Sequence, residues 1–290
     1  MIKFEFEAIG TFWQIDILDN LPKEKEVVLL EEIRARINDF DKTYSRFRKD
    51  SLVTEMSITP GRYTLPEDAD LMLKTYKKMY DATGGLVTPL IGKVMVQAGY
   101  DPEYSFVENE MVSPLPWEEA MNWLAPTLCI IKPSLLDFGA GGKGYLVDIV
   151  SEKLEVHQVS SYCVDAGGDM RQRNATKDSL RVGLENPEDM SEAIGVVPLL
   201  NMSLCGSSGN RRKWGRFHHV IDPKKLSSPE GITAVWTLAE TTLVADLVAT
   251  GLYFVSADKL KDYFKFEYLI LKDDHSVEKS DGFNAELFLG

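Results

Sequence analysis

Residues 137–148 constrain the fold more than any other stretch: Asp-Phe-Gly-Ala-Gly-Gly-Lys-Gly-Tyr-Leu-Val-Asp, with four glycines inside six positions. Apolar runs at 129–131 and 135–136, parted by Pro133, lead into it, and a helical pattern leaves it. Glycine has no Cβ and visits positive φ at little steric cost, so such a turn lets the backbone come close to a ligand. A helix starting there presents unpaired N–H groups that suit phosphate. Lys143 adds a positive charge, and Asp137 is placed to accept hydrogen bonds from a ribose or a ring N–H. The stretch reads as a cradle for a nucleotide diphosphate, although a plain glycine turn with a surface lysine fits the same residues. It is neither the phosphate loop G-x-x-x-x-G-K-[ST] nor the dinucleotide fingerprint G-x-G-x-x-G.

With 290 residues the chain suffices for one large domain or two small ones. Its formal net charge of −13 opposes duplex nucleic acid as a partner. An anionic ligand would need a local lysine or a metal ion to offset that field. Cys129, Cys163 and Cys205 are scattered through apolar contexts without C-x-x-C spacing, which predicts buried thiols and no disulfide framework or zinc site. The first residues alternate like a strand instead of forming a signal peptide, and no apolar run is long enough for a membrane span. Read as written, this is a cytoplasmic protein; a chain trimmed of a leader would read the same.

In chain order, 2–8 and 11–18 read as strands around Gly10, followed by a helix after Pro22 with Leu30, Ile33, Ile37 and Phe40 at helical spacing. The polar loop 44–51 carries three cations, suited to an anionic ligand or simply to solvent. A second helix is expected from Pro66, with Met72, Tyr76, Met79 and Tyr80 inward, stopping at Gly84-Gly85. Residues 101–127, punctuated by proline, read as a surface insertion with one short helix. A helix over 143–156 and a strand at 162–164 follow, the strand running into Asp165-Ala166-Gly167-Gly168-Asp169, a close backbone approach or a plain tight turn. Strands are expected at 180–184, 194–199, 202–205 and 217–221, with a small-residue loop and basic cluster (Arg211, Arg212, Lys213) before the last. Two histidines, His218 and His219, are adjacent there, so they should face opposite ways.

The last clear helix, after Thr241 and Thr242, is almost wholly apolar and contains one acid, Asp246. Ala249 and Thr250 share its face, three and four residues on. A lone carboxylate in such a helix is costly unless a cation or hydrogen bonds satisfy it. Oxygen ligands from Asp, Thr and backbone carbonyls suit Mg²⁺ or Ca²⁺; a capped turn or a lysine partner would satisfy the acid equally.

Eight ordered segments together resemble the ApbE-type flavin transferases, FAD:protein FMN transferases, over nearly the full length. Ile9-Gly10-Thr11 is similar to the family's M-G-T, with Ile9 for Met; Ser45-Arg46-Phe47 with Asp50-Ser51 to S-R-[FY]…D-S; and Thr83-Gly84-Gly85 with Thr88-Pro89 to T-G-G-x-F-D-P-T. Residues 137–148 resemble D-L-G-[GA]-I-A-K-G-Y-A-V-D, 166–169 L-G-G-D, and 207–209 T-S-G. Residues 219–223 resemble H-I-I-D-P, and 245–250 A-D-x-x-[AS]-T. The chain departs from the family at Thr88, where the family has an acid, and at Leu52, Ser57, Lys224, Lys225 and Leu226.

The resemblance implies Mg²⁺-dependent transfer of FMN from FAD to a threonine hydroxyl of an acceptor protein, releasing AMP. It implies metal ligands in Ala140, Asp246, Ala249 and Thr250, Lys143 at the pyrophosphate, and Asp137 near the flavin or ribose. Ile9, Val87, Thr88 and Val220 would line the FAD pocket, and His219 and Asp246 would be catalytic. An FAD pyrophosphatase and a flavin-binding protein without turnover are the alternatives. The expected fold is α+β, mainly antiparallel sheets with packed helices, in a single unit over 1–290.

Overall fold

The computed structural model describes residues 1–210 and 212–288. Its centre is an eight-stranded sheet whose strands lie side by side in chain order: β1 (Ile2–Ala8), β2 (Thr11–Ile17), β3 (Tyr162–Ala166), β4 (Asp169–Arg173), β5 (Ser203–Ser208), β6 (Ile232–Ala239), β7 (Glu267–Lys272) and β8 (Val277–Lys279). Every neighbouring pair is antiparallel. The long helices are α1 (Lys23–Tyr44), α2 (Ala69–Thr83), α3 (Gly142–Val156) and α4 (Thr242–Gly251). The architecture is α+β, as the sequence implied.

The central strands are covered on both faces, and their alternation shows it. On β5 and β6, Cys205, Val235 and Ala239 join the core under α3 and α4, while Leu204, Ala234, Trp236 and Leu238 face the other way. There they meet Leu184, Ile194, Val197 and Leu199 of a three-stranded sheet built from Leu180–Glu185, Ala193–Leu199 and Glu286–Leu287. Each such aliphatic side chain, once buried, contributes roughly 1.5–3 kcal/mol of transfer free energy. No helix of the described residues is long and apolar enough to cross a membrane.

Two hairpin turns aim the sheet edge at the helices. Ile9-Gly10 joins β1 to β2 across the pair Ala8↔Thr11, and Gly167-Gly168 joins β3 to β4 across Ala166↔Asp169. All four turn residues have positive φ, as a two-residue turn matching the strand twist requires. Ile9 at φ 46° is a β-branched residue in a region that favours glycine.

Several sequence expectations change. Pro66 lies ahead of α2, which begins at Ala69, and Tyr80 is only half-buried. The expected loop residues Ser207 and Ser208 belong to β5, and the expected strand 217–221 ends at His218. The 101–127 insertion contains buried Trp117 and leads into the strand Met121–Leu124, which pairs with Thr127–Ile130. Of the three free thiols, only that of Cys205 is fully buried. Arg211 lies outside the described residues.

Candidate functional site

The glycine run works differently from its sequence reading. None of Gly139, Gly141, Gly142 and Gly144 has positive φ. What they provide is closeness between helices: a Cβ on Gly141 would stand 2.5 Å from Leu247 Cγ. One on Gly144 would collide with the Thr242 carbonyl and lie 2.8 Å from Asp246 Cβ. The amides at the start of α3 are largely spent inside the protein. Gly141 and Gly142 N–H donate to the Phe138 carbonyl, at 3.3 and 2.6 Å, and Gly144 N–H donates to Asp246 Oδ2 at 3.0 Å. The glycines therefore seat α4 against α3 and bring Asp246 to the end of the turn.

Two acids act on that helix pair. Asp148 accepts from Thr242 N–H and Leu243 N–H, both at 2.8 Å, and meets Arg171 Nη1 at 3.3 Å. It caps α4 from another helix. Burial raises its carboxyl pKa, and the two N–H groups and Arg171 oppose the rise. Asp246 sits one turn inside α4. Burial pushes its pKa well above the usual carboxylate range, and the neighbouring Asp169 pushes it further.

Lys143, on the first turn of α3, pairs with Asp169, which is 1% exposed, and donates to the Ala166 carbonyl at 3.1 Å. Burial works against its charge, but Asp169 and then Asp246 outweigh it, and the pKa is raised. The lysine stays an ammonium.

A cleft opens above these residues in two lobes. The larger, about 640 Å³, is lined by Ile9, Arg46, Asp137, Lys143, Tyr104 and Trp214 among others. The smaller, about 120 Å³, contains Val87, Thr88, Ala140, His219, Val220 and Thr250. Arg46, Phe47, Tyr100, Asp137, Gly139 and Arg212 line both. Their joint volume lies in the range of ligand pockets, about 300–1,000 Å³. Among these shared residues, Arg46 is held firmly: its guanidinium pairs with Asp137, donates to the Tyr100 carbonyl at 2.7 Å and lies 4.1 Å from the Phe47 ring centroid. Asp137 Oδ1 accepts from Gly139 N–H at 2.6 Å. Thr88 Oγ1 accepts from Leu90 N–H at 3.2 Å, capping the turn Pro89–Ile91.

His219 faces the smaller lobe, its Nε2 3.3 Å from Ser207 Oγ, while Nδ1 is buried with no hydrogen-bond partner. Burial, then Arg212, His218 and Lys143, lower its pKa to about 3, so the ring is neutral at neutral pH. His218 turns elsewhere, its Nε2 3.3 Å from the Pro229 carbonyl. The two rings have different partners but do not face opposite ways: their centroids are 6.0 Å apart, edge to face, because the strand ends at His218 and the alternation stops there.

The structure thus gathers Ile9, Val87, Thr88, Ala140, Asp137, Lys143, His219, Val220 and Thr250 around one cleft. Asp246 is half-buried and lines neither lobe, and Ala249 is fully buried. Among the described residues no three His, Cys, Asp or Glu side chains form a metal group. One half-buried carboxylate, a hydroxyl and carbonyl oxygens make a hard-oxygen set, which fits Mg²⁺ better than a softer ion. Sequence reasoning missed Asp169 as more than a turn acid, and missed the aromatic wall of Tyr100, Tyr104 and Trp214. The Gly167-Gly168 pair, a hairpin signal that places its flanking residues opposite each other, could have found the first.

An antiparallel meander with a close helix pair on one face, opening on a two-lobed cleft, defines the fold class. The ApbE family model matches residues 9–270, and the chain belongs to the ApbE family. The FAD:protein FMN transferase of Escherichia coli K12 is 25% identical over 299 residues, 94% of this chain and 85% of that protein. That of Haemophilus influenzae is 26% identical over 315 residues, covering 97% and 89%. The flavin transferase ApbE of Vibrio cholerae superposes with a TM-score of 0.80 at 19% identity, and the Thermotoga maritima ApbE protein with 0.82 at 18%; each pair covers 97% of both chains.

Proposed function

We propose that this chain, acting as one unit, transfers FMN from FAD to a threonine hydroxyl of an acceptor protein and releases AMP. The carrying observation is His219: a neutral imidazole with an unpartnered buried nitrogen, in a lobe that communicates through Asp137 with the lobe of Lys143. Family membership and the names of the relatives support the same reading, and the net charge of −13 supports a partner other than nucleic acid.

FAD would lie across both lobes, Ile9, Val87, Thr88 and Val220 lining its path, Lys143 near the pyrophosphate and Asp137 near the flavin or ribose. The neutral His219 ring has one nitrogen lone pair, and that lone pair would take the acceptor's proton. The threonine oxygen forms a bond to the FMN phosphorus, the phosphorus–oxygen bond to AMP breaks, and AMP departs with the bridging oxygen. Mg²⁺ held by Asp246, Thr250 and the Ala140 and Ala249 carbonyls would neutralise charge on the phosphate oxygens. Measuring AMP with and without an acceptor tests the reading. Acceptor-dependent AMP is expected; equal release without acceptor would make the protein a pyrophosphatase, and bound FAD with no AMP a flavin carrier.

A further inference from the structure

Lys143 is within the influence of two carboxylates, Asp169 and Asp246. It pairs with the first. The end of the β3–β4 hairpin makes this choice, because Ala166 and Asp169 are cross-strand partners flanking the Gly167-Gly168 turn. Lys143 Nζ reaches both, the carbonyl of one and the carboxylate of the other. Asp246, on the helix side, instead accepts the Gly144 N–H. A buried ammonium takes the best anion within reach, since leaving it unpaired costs several kcal/mol. A lysine seated on Asp246 would compete with a divalent cation for the same oxygens.

We infer that Asp169 is a positioning residue that holds the Lys143 ammonium on the sheet edge and so keeps the Asp246 carboxylate open to Mg²⁺. The inference rests on the metal reading proposed above. It makes Asp169 → Lys143 → Asp246 a chain with a definite order. Asp169 also stands beside Asp246 and acts on it directly, so the part of the harm that runs through the lysine is the part that disappears when the lysine is also removed.

Calorimetric titration of Mg²⁺ into the full-length protein tests this without turnover. Asp169→Asn, nearly isosteric, should weaken Mg²⁺ binding roughly 10–100-fold, the usual range for loss of a residue supporting a metal ligand. Lys143→Met alone should not weaken Mg²⁺ binding, because it removes the competing cation and leaves both carboxylates in place. Lys143→Met in the Asp169→Asn background should restore the part of the lost affinity that the freed lysine causes, leaving the double variant tighter than Asp169→Asn alone. This non-additivity is a coupling that a general packing role would not produce. Additive effects, or wild-type affinity in Asp169→Asn, would overturn the inference while leaving the metal site standing. No Mg²⁺ binding by the wild type would remove the metal reading and the inference with it. Thermal melts of each variant check that the fold is retained.

Discussion

Asp148, buried on α3, and Asp246, half-buried on α4, are both acids of the helix pair, and burial raises the pKa of both. They differ in what they receive. Asp148 has two backbone N–H groups and an arginine, whereas Asp246 has the Gly144 N–H, a second carboxylate for a neighbour, and only a shared lysine, Lys143, which pairs with that second carboxylate. The first arrangement is complete and ties two helices together. The second is short of positive charge and gains from a cation. Burial alone therefore does not distinguish a structural acid from a chemical one; the account of its partners does.

Substitutions should separate the two. Asp246→Ala should cut FMN transfer by roughly 10³-fold or more, several kcal/mol of charge stabilisation being lost. Without Mg²⁺ its stability should equal or exceed that of the wild type, since an ill-compensated acid is gone; a lowered urea midpoint in the metal-free variant would place Asp246 with Asp148. Asp148→Ala should do the reverse, destabilising by roughly 3–5 kcal/mol in urea titrations as its partners become orphans. Full stability in that variant would break the comparison. Gly144→Ala sharpens it, because the new Cβ meets the Thr242 carbonyl and Asp246 Cβ and prises α3 from α4. A loss of roughly 1–3 kcal/mol is expected, together with weaker Mg²⁺ binding in calorimetry.

At neutral pH the last effect is silent, and it emerges only on acidification. With a folded-state pKa of about 3 against an ordinary 6.5, His219 takes up its proton more readily when the chain is unfolded. Its contribution to stability is complete above pH 6.5 and declines as pH falls from there towards 3. The wild type should therefore lose more melting temperature than His219→Gln across that window, and the acid limb of transfer should lie well below pH 6. A limb at 6.5 would mean that His219 titrates as an exposed histidine.

Legibility in the sequence followed the range of the interactions. Helical spacing located α1, which buries one stripe, while α3 and α4 are buried on most sides and showed as apolar runs of helical length. One acid in an apolar helix marked Asp246. The glycine run was visible, but its purpose was not, since the crowding comes from Thr242 and Leu247, about a hundred residues on. Arg46 read as one cation of an exposed loop because its partner, Asp137, is 91 positions away. Asp169 looked like part of a turn because Lys143 meets it only after the hairpin folds. Local signals gave elements; the charges that define the site depend on contacts between distant segments.

The most direct test of transfer is covalent flavin on an acceptor. Wild-type protein, FAD and Mg²⁺ would be incubated with a protein bearing a bacterial flavinylation site, and the acceptor's intact mass and the AMP released would be measured. The account predicts one FMN added per AMP, slowed by roughly 10²-fold or more in His219→Ala, with FAD binding retained. Equal labelling by wild type and His219→Ala, or AMP formed without any gain in acceptor mass, would contradict it.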